Sequence, residues 1–424
     1  MLIEFSIANF LSFKDRVTFS MVASNDDALQ ESNVFEWGKK RLVKSAVVYG
    51  ANASGKSNLL NAMGFMRRMV LTSSKDTQAN EEIDVETFKL STECEENPAF
   101  FEIVFVQNGI IYRYGFEVDR KSVHSEWLFT VPATKEAELF VREGHRIKVN
   151  RIRFKEGMDL ETKTRENALF LSVCAQFNGE ISKELLLCFK KFRFIHGLHD
   201  EYLGVTVSML KTPEQKRRLM EMTRIADLCI DDIEGREEKL TIEKLPKDMP
   251  EEIKKDIIKR GAMAVELKTT HRKYGKDNNE VGTVVFDLEE NESGGTQKFL
   301  SMAGPLLDTI ETGKVLIIDE LDARLHPLLT RAVVTLFNSP ANNKNAQLIF
   351  ASHDTTLLSD KLFRRDQIWF TEKNTYGVTG LYSLVELRGV RKEASFGRDY
   401  ILGKYGAIPF IGDPQWLFCE ESDD

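Results

Sequence analysis

The chain has 424 residues, with a hydrophobic share of 42% and a charged share of 29%, which is the composition of an ordinary globular protein. No apolar run reaches the roughly 20 residues needed to cross a bilayer, and the first residues lack the basic region and cleavage site of a secretory signal. The five cysteines include no C-x-x-C pair, which favours reduced thiols over disulfides or structural zinc. We therefore expect a cytoplasmic protein, and the formal net charge of −8 disfavours one that coats nucleic acid non-specifically.

The predicted elements change character along the chain. An apolar strand at 46–49 runs into a Gly-containing loop, and runs at 101–106, 110–118 and 127–131 predict antiparallel hairpins. The pattern then turns helical, without the sustained heptads of a coiled coil. Buried-strand runs at 315–318 and 347–351 favour a parallel sheet near the end. The predicted parts are residues 1–165, with an antiparallel β subdomain, a helical insertion at 166–275, and a second lobe at 276–424.

A phosphate-binding motif lies at residues 50–57. The letters GANASGKS match G-x-x-x-x-G-K-[ST] at each defined position, between an apolar strand and a helix-compatible segment. In such a loop the backbone amides point at phosphate oxygens, the lysine reaches the β- and γ-phosphates, and the serine hydroxyl coordinates Mg²⁺. A chance Gly-rich turn would rarely have both flanking elements. The predicted nucleotide-contacting residues are Gly50, Asn52, Gly55, Lys56, Ser57 and Asn58.

A second motif is the apolar run VLIIDE at 315–320, which ends in two carboxylates. A buried parallel strand that ends in Asp319 would place its carboxylate beside the Mg²⁺ bound by Ser57. Glu320 is suited to polarise the attacking water as a general base. Taken alone, the run fits a core strand that ends at a solvated acidic turn equally well. Its position downstream of a phosphate loop favours the catalytic interpretation.

Two shorter segments narrow the class. Residues 291–297, NESGGTQ, resemble the ABC signature, in which Ser293, Gly294 and Gly295 would open a helix and present a hydroxyl, amides and a positive helix end to a γ-phosphate. The alternative is a plain helix-capping turn. The strand-like run LIFASH at 348–353 ends in His353. In the ABC class, which this order of motifs resembles, a histidine there is the switch that contacts the γ-phosphate.

The interval between Ser57 and Glu292 is 292 − 57 = 235 residues, longer than in a compact ABC head, so we expect an insertion. Within it, Gln176 matches the place where the ABC class has a glutamine that contacts Mg²⁺ and water. A polar surface residue is an equally good interpretation. His196 and His199 form an H-x-x-H pair near Asp200, for which a structural role is preferred because further ligands at matching spacing are missing.

With these motifs in place, the chain resembles the SMC/RecF/OLD-like ATPases, and more narrowly the bacterial RloA-type ATP-binding proteins linked to abortive infection and phage defence. The resemblance covers almost the whole chain through the phosphate loop and ANFLSFKD at 8–15, YRYGF at 112–116, ELDARLHP at 320–327, RDQIWFTEK at 365–373 and YGAIP at 405–409. It implies an α/β P-loop NTPase fold of ABC/SMC-head type, with a mixed β-sheet lobe, an antiparallel β subdomain and an inserted helical subdomain.

The same resemblance implies ATP and Mg²⁺ as cofactors and a homodimer with composite sites. Asp322 would belong to the loop that communicates across the dimer. Leu11 stands where many relatives have arginine, so a phosphate contact there is either absent or made by Lys14.

OLD proteins carry a nuclease domain after the switch histidine, whereas 424 − 353 = 71 residues follow His353 here, without an Asp-x-Asp cluster. We therefore predict an ATPase that senses or regulates a separate effector, a toxin or nuclease, in antiphage defence. A RecF-like DNA-repair ATPase is the alternative, which leaves nucleic acid open as a partner. A transporter subunit is disfavoured by the N-terminal element and the insertion, and no membrane contact is expected.

Overall fold

The computed structural model describes residues 1–76, 78, 81–131, 135–198, 202–242, 245, 249–259, 261, 263–409 and 412. Its strands are β1 (Leu2–Ala8), β2 (Val17–Ser20), β3 (Val34–Trp37), β4 (Lys40–Val43), β5 (Ser45–Tyr49), β6 (Ala99–Gln107), β7 (Ile110–Val118), β8 (Val123–Val131), β9 (Ala137–Glu143), β10 (Arg146–Val149), β11 (Phe192–His196), β12 (Asp232–Lys239), β13 (Met263–Tyr274), β14 (Glu280–Asp287), β15 (Val315–Asp319), β16 (Gln347–Ala351), β17 (Ile368–Lys373) and β18 (Thr379–Ser383). Its helices are α1 (Gln30–Asn33), α2 (Lys56–Thr72), α3 (Thr92–Glu95), α4 (Phe170–Gln176), α5 (Glu180–Lys190), α6 (Leu203–Met209), α7 (Pro213–Ile225), α8 (Glu251–Lys259), α9 (Leu288–Asn291), α10 (Gly294–Thr312), α11 (Pro327–Phe337) and α12 (Phe396–Ile401).

The chain divides into two compact units. The first unit comprises Leu2–Lys191 with Ile349–Asp424, and the second unit comprises Phe192–Leu348. Strand β16 contains one of the boundaries, between Leu348 and Ile349. Among the residues that the structure describes, no helix is both long enough and apolar enough to span a membrane.

A seven-stranded antiparallel sheet forms much of the first unit, in the order β10-β9-β8-β7-β6-β1-β2. Phe101 of β6 lies opposite Phe116 of β7, with ring centroids 5.3 Å apart. Helix α2 packs on this sheet through Phe65, whose ring centroid is 4.9 Å from that of Phe101. Aromatic side chains bury large apolar areas, so this cluster forms the core between helix and sheet. The predicted strand runs at 101–106, 110–118 and 127–131 are confirmed in β6, β7 and β8.

The first unit also contains the strand that leads into the phosphate loop. All five residues of β5 are buried, and β5 pairs in parallel with β17. Strand β17 continues into an antiparallel pair with β18. A parallel strand covered on both faces has no need for polar alternation, which explains the unbroken apolar run in the sequence.

In the second unit, β11 pairs in parallel with β15, and β12, β13 and β14 form a separate antiparallel sheet. Helix α10 is the central helix of this unit, since α6 and α7 both contact it. The predicted buried strand at 315–318 is confirmed, because β15 is buried over its whole length.

Residues 166–275, predicted as helical, contain strands as well. Helices α4 to α8 lie here, and α5 and α7 match the strongest helical patterns, but β11, β12 and β13 lie here too. In β13, Leu267 and Thr269 are buried whereas Glu266 and Lys268 are exposed. A half-buried strand with charged residues on its outer face has few apolar positions, so its period of two is weak in the sequence. The three domain bounds remain predictions.

Candidate nucleotide-binding site

The phosphate loop of the first unit requires its glycines. Gly50 has φ 156° and Gly55 has φ 112°, both in the range that side chains other than glycine rarely adopt. A Cβ atom at Gly50 would lie 2.4 Å from the Thr371 carbonyl oxygen, and one at Gly55 would lie 2.6 Å from the Thr379 hydroxyl. The chain can therefore bend from β5 into α2 only with glycine at both positions.

Lys56 begins α2 and is 6% exposed. Its amino group donates hydrogen bonds to the carbonyl oxygens of Gly50 at 2.8 Å and Ala51 at 3.0 Å, so it lies over the loop. Helix α2 begins without a side-chain cap at Gly55, which leaves its first-turn amides oriented toward the loop. A cation and a helix N-terminus at one bend of the chain fit the phosphates of a nucleotide.

Three side chains from distant segments contact the loop and its helix, and the sequence assigned this role to none of them: Ser12, Thr371 and Thr379. The buried Thr379 hydroxyl lies 2.8 Å from both Ser12 Oγ and the Ser54 carbonyl oxygen. The Asn58 side-chain amide donates to the same Ser12 oxygen at 2.7 Å, so it points toward Ser12 and Thr379. Ser54 and Thr371 share a hydrogen bond of 2.7 Å between their hydroxyls.

The N-terminal element at 8–15 forms a tight turn beside this scaffold. Leu11 adopts φ 51°, and the backbone of Phe10 pairs with that of Phe13. The Lys14 amino group is 2.9 Å from Glu93 Oε2 and donates to Ser91 Oγ at 3.2 Å. This ion pair raises the pKa of Lys14 and occupies its amino group. Both alternatives for a phosphate contact at this element remain predictions.

Gln176 is the last residue of α4, and its side chain is exposed. The start of this helix is fixed by Glu126, whose carboxylate accepts hydrogen bonds from the amides of Phe170 at 2.6 Å and Leu171 at 3.0 Å. Arg142 lies 4.0 Å from that carboxylate and donates to the carbonyl oxygen of Ala168 at 2.7 Å. Burial raises the pKa of Glu126 and lowers the pKa of Arg142.

Replacing Arg142 by methionine should lower the free energy of unfolding by about 3–5 kcal/mol, because it leaves the buried Glu126 carboxylate without its cation. The change also removes the donors for the backbone segment that leads into α4. Urea denaturation followed by circular dichroism measures the loss. Arg146→Met, at an exposed position of the next strand, is the matched control and should change stability little. Equal stability of the two variants would contradict this account.

His353 follows strand β16 and is exposed, whereas the neighbouring Ser352 is buried. The amide of Ser352 donates to the Val48 carbonyl oxygen at 3.2 Å, which ties this segment to β5. The Tyr49 hydroxyl donates to the carbonyl oxygen of Asp354 at 2.7 Å. The residues on both sides of His353 are thus held by the strand that enters the phosphate loop, and within the first unit the histidine lies on the same side of the fold as that loop.

In the second unit, Asp319 ends β15 and is 8% exposed. Its Oδ1 atom is buried and has no hydrogen-bond partner in the described part of the chain. A desolvated carboxylate oxygen without a donor is costly, and a hard divalent cation is a group that would satisfy it. Asp319 therefore fits a Mg²⁺ ligand. Glu320 is partly exposed and has φ 55°, a conformation disfavoured for a side chain other than glycine.

His196 lies beside the Asp319 carboxylate. The sequence did not indicate that these two residues are close together. His196 pairs in register with Asp319 across β11 and β15, and its Nε2 atom is 3.8 Å from Asp319 Oδ2. A Cβ atom at the following residue, Gly197, would lie 2.0 Å from the Glu320 carbonyl oxygen. The H-x-x-H pair cannot be assessed as a whole, because His199 and Asp200 lie outside the described residues.

Asp322 and Arg324 belong to the turn that follows β15. The carbonyl oxygen of Asp322 accepts a hydrogen bond from the amide of Leu325 at 3.2 Å. Arg324 adopts φ 60° and donates to the Leu198 carbonyl oxygen at 3.3 Å. The turn approaches the signature closely, since a Cβ atom at Gly295 would lie 3.2 Å from the Arg324 carbonyl oxygen.

Ser293 is the N-cap of α10, and its hydroxyl accepts a hydrogen bond from the amide of Thr296 at 3.2 Å. The structure therefore contains the helix-capping turn that was the alternative to a signature. Both roles are compatible, because Ser293 and Gly294 are exposed and the capped helix is 19 residues long. The exposed hydroxyl and helix N-terminus could meet an anion from outside the chain.

Helix α10 is hydrogen-bonded to α6 near the middle of α10. The buried Thr206 hydroxyl donates to the Leu300 carbonyl oxygen at 2.8 Å and accepts from the Gly304 amide at 3.0 Å. A regular helix pairs those two backbone groups directly. A Cβ atom at Gly304 would lie 2.5 Å from the Thr206 backbone, and Pro305 has no amide hydrogen to donate. The helices are therefore in backbone contact at this turn.

The loop that joins the buried parallel strand β5 to helix α2 defines a P-loop ATPase with an α/β fold. The chain belongs to the family described as "AAA domain, putative AbiEii toxin, Type IV TA system", whose model matches residues 45–359.

The solved structures to which the chain is similar include the following three. The SMC head domain from Thermotoga maritima is 13% identical, with a TM-score of 0.39 and coverage of 90% of this chain and 98% of that one. The SMC head bound to the C-winged helix domain of ScpA is 14% identical, with a TM-score of 0.38 and coverage of 90% and 97%. The recombination mediator protein RecF with ATP is 11% identical, with a TM-score of 0.33 and coverage of 90% and 99%. Among curated proteins, no sequence matches this chain.

Proposed function

We propose that this chain hydrolyses ATP as a homodimer with two composite sites, and that the ATP cycle senses or regulates a separate effector protein, a toxin or nuclease, in antiphage defence. The observation that carries the proposal is the phosphate loop, in which two obligatory glycines and the buried Lys56 lie at the start of α2. The family description supports a toxin–antitoxin context. The resemblance to OLD-like and RloA-type proteins supports the link to defence.

In the proposed reaction, Lys56 and the amides around Gly55 bind the phosphates, and Asn52 lies along the same loop. The Ser57 hydroxyl, Asp319 and Gln176 would hold Mg²⁺, which would supply charge neutralisation at the β- and γ-phosphates. Glu320 accepts the proton of the attacking water. His353 contacts the γ-phosphate and so makes the site sensitive to hydrolysis.

Ser293, Gly294 and Gly295 act on the nucleotide of the partner subunit in this proposal, and Asp322 communicates between the two sites. Two observations support a contact in trans. Ser293 and Gly294 are exposed, so a second copy can reach them. The Ser293 hydroxyl caps its own helix and lies 2.9 Å from the Thr296 hydroxyl, and when it donates to that hydroxyl it keeps one lone pair for an additional donor or ion.

The experiment that tests the composite site is Ser293→Arg, which should leave ATP binding to a single subunit intact and block ATP-driven dimer formation. An arginine at the N-cap removes the capping oxygen and adds bulk where the partner would dock. Fluorescent-nucleotide binding at high dilution and size-exclusion chromatography with ATP measure the two properties. Ser208→Arg, at an exposed position of α6, is the control.

Mixing Ser293→Arg with Lys56→Ala gives a sharper readout. In a mixed dimer with contacts in trans, one site carries both lesions, whereas the other combines an intact phosphate loop with an intact signature. Two inactive variants should then regain partial ATPase activity, up to one site per dimer. Hydrolysis by single subunits at dilution, with a rate per subunit independent of concentration, would overturn the composite-site proposal.

The effector is tested separately by co-purification from the native operon. A tagged chain should retain a second protein encoded beside it, and the Lys56→Ala variant should change the amount retained. Retention of repair proteins or of nucleic acid, with no toxin or nuclease, would instead favour the RecF-like alternative.

A further inference from the structure

We propose that Glu292, with His271 and Thr269 of β13, forms a clamp that positions the signature serine for the partner's nucleotide. Glu292 is the residue immediately before Ser293, and its side chain points away from the signature into the three-stranded sheet. This inference rests on the proposed function, since it assigns positioning residues to the composite site. Glu292 belongs to the signature segment but had no role assigned from the sequence, and Thr269 and His271 lie outside the sequence motifs.

The clamp consists of short polar contacts. Glu292 Oε1 accepts a hydrogen bond from the Thr269 hydroxyl and another from His271 Nε2, the latter at 2.7 Å. The Thr269 hydroxyl lies 3.1 Å from the same ring nitrogen, so the three groups form a closed triangle. The opposite nitrogen of His271, Nδ1, lies 3.1 Å from the Cys229 carbonyl oxygen.

The residues of the clamp are largely buried. The Glu292 side chain is 9% exposed and the His271 side chain is 17% exposed, although Glu292 lies between two exposed residues. Thr269 is fully buried. A carboxylate with so little access to water needs protein donors, because leaving it without them costs free energy. The Glu292 side chain is therefore held in one place.

The backbone around Glu292 is held as well. Its carbonyl oxygen accepts a hydrogen bond from the Gln297 side chain at 3.0 Å, and the same amide nitrogen donates to the Glu289 carbonyl oxygen at 3.1 Å. One residue further on, Ser293 caps α10. The clamp therefore joins the three-stranded sheet to the first turn of the signature helix at the point where the helix begins.

This arrangement should affect ATP-driven dimer formation without affecting ATP binding by the single subunit. The clamp residues belong to the second unit and the phosphate loop belongs to the first, so we expect the clamp not to affect how one subunit binds ATP. The clamp residues fix where Ser293 and the first amides of α10 point, and a contact between subunits depends on that direction. A loosened clamp should therefore weaken ATP-driven dimer formation and leave the nucleotide affinity of the single subunit unchanged.

The test uses a chain with Glu320→Gln, in which the proposed ATP-bound dimer should accumulate, and adds Glu292→Ala. We expect the ATP affinity at high dilution to stay within about twofold, while the concentration needed for ATP-driven dimers rises at least about tenfold, or 1.4 kcal/mol. Glu289→Ala, at an exposed position of α9, the short helix that ends just before Glu292, is the matched control and should behave as the parent.

A conservative variant distinguishes positioning from general structural support. Glu292→Gln keeps an oxygen that can accept from Thr269 and His271, so it should restore most of the dimer formation. Thr269→Val and Thr269→Ser form a second pair if Glu292→Ala does not fold, because only serine keeps the hydroxyl. Ultracentrifugation measures the dimers, and thermal unfolding verifies that each variant is folded.

Each outcome has a distinct meaning. Parent-like dimer formation by folded Glu292→Ala would overturn the inference, and so would a loss of ATP affinity equal to the loss of dimer formation. Failure of Glu292→Gln to restore dimers would assign Glu292 a role through its charge and would also overturn the clamp. If the Glu320→Gln parent itself forms no ATP-dependent dimer, the proposed function fails and the inference fails with it.

Discussion

Replacement of Lys56 by alanine should abolish ATP binding and turnover. In the structure the Lys56 amino group lies against the carbonyl oxygens of Gly50 and Ala51, at the bend where the phosphates of a nucleotide would lie. A buried cation at the start of a helix adds its charge to the helix dipole, and alanine removes the larger of the two contributions. Equilibrium binding of a fluorescent ATP analogue and phosphate release measure the effect.

The control for this experiment is Lys75→Ala, at an exposed position just after α2. It removes the same charge from the same region of the chain but not from the loop, so ATP binding should remain. Thermal unfolding shows whether the Lys56→Ala chain is still folded. Undiminished ATPase activity in folded Lys56→Ala would refute the phosphate-loop assignment.

Glu320→Gln should still bind ATP with Mg²⁺ but hydrolyse it at least about 10²-fold more slowly, as expected when a general base is lost. Glutamine has nearly the same size and keeps one acceptor oxygen, so the turn after β15 should persist. The ATP-bound dimer should then accumulate, because hydrolysis no longer releases it. Single-turnover hydrolysis and size-exclusion chromatography with ATP measure both effects.

Asp319→Asn is a comparison variant for which we expect a different effect on nucleotide binding. It should weaken the dependence of nucleotide binding on Mg²⁺, because it alters the carboxylate whose Oδ1 atom has no partner in the described residues. Glu320→Gln should leave that dependence unchanged. If Glu320→Gln hydrolyses ATP at the normal rate, the base is another residue.

Local sequence patterns predicted those parts of the fold whose structure depends on residues close to one another in the sequence. The phosphate loop, β15 and the hairpins from β6 to β8 are of this kind, since glycine geometry, apolar runs and turn residues specify them within a few positions. The signature was harder, because Ser-Gly-Gly fits both a helix cap and a phosphate contact. The structure contains the cap, and the phosphate contact remains a proposal.

Contacts between distant segments could not be predicted. Thr379 supports the phosphate loop from 325 residues away in sequence, and threonine in a strand carries no signal of that role. The Glu292 side chain is held by residues of β13, a strand that the sequence pattern had not separated from a helical region. Buried hydroxyls and carboxylates depend on which donors the fold brings to them, and no spacing rule within one sequence records this.

The Thr206 hydroxyl forms a bridge in α10, because it bonds both the Leu300 carbonyl oxygen and the Gly304 amide. The effect of a substitution at residue 206 on stability should therefore depend on which residue stands at 304, and the reverse. Alanine at 304 would push α6 away from α10, and valine at 206 would remove the hydroxyl that both backbone groups use. Once either change has broken the bridge, the other has less left to break. The double variant should therefore lose less free energy of unfolding than the sum of the single variants, since residues in one network are not additive. Along an evolutionary lineage, replacement of one should relax selection on the other, so that residues 206 and 304 tend to be exchanged as a pair.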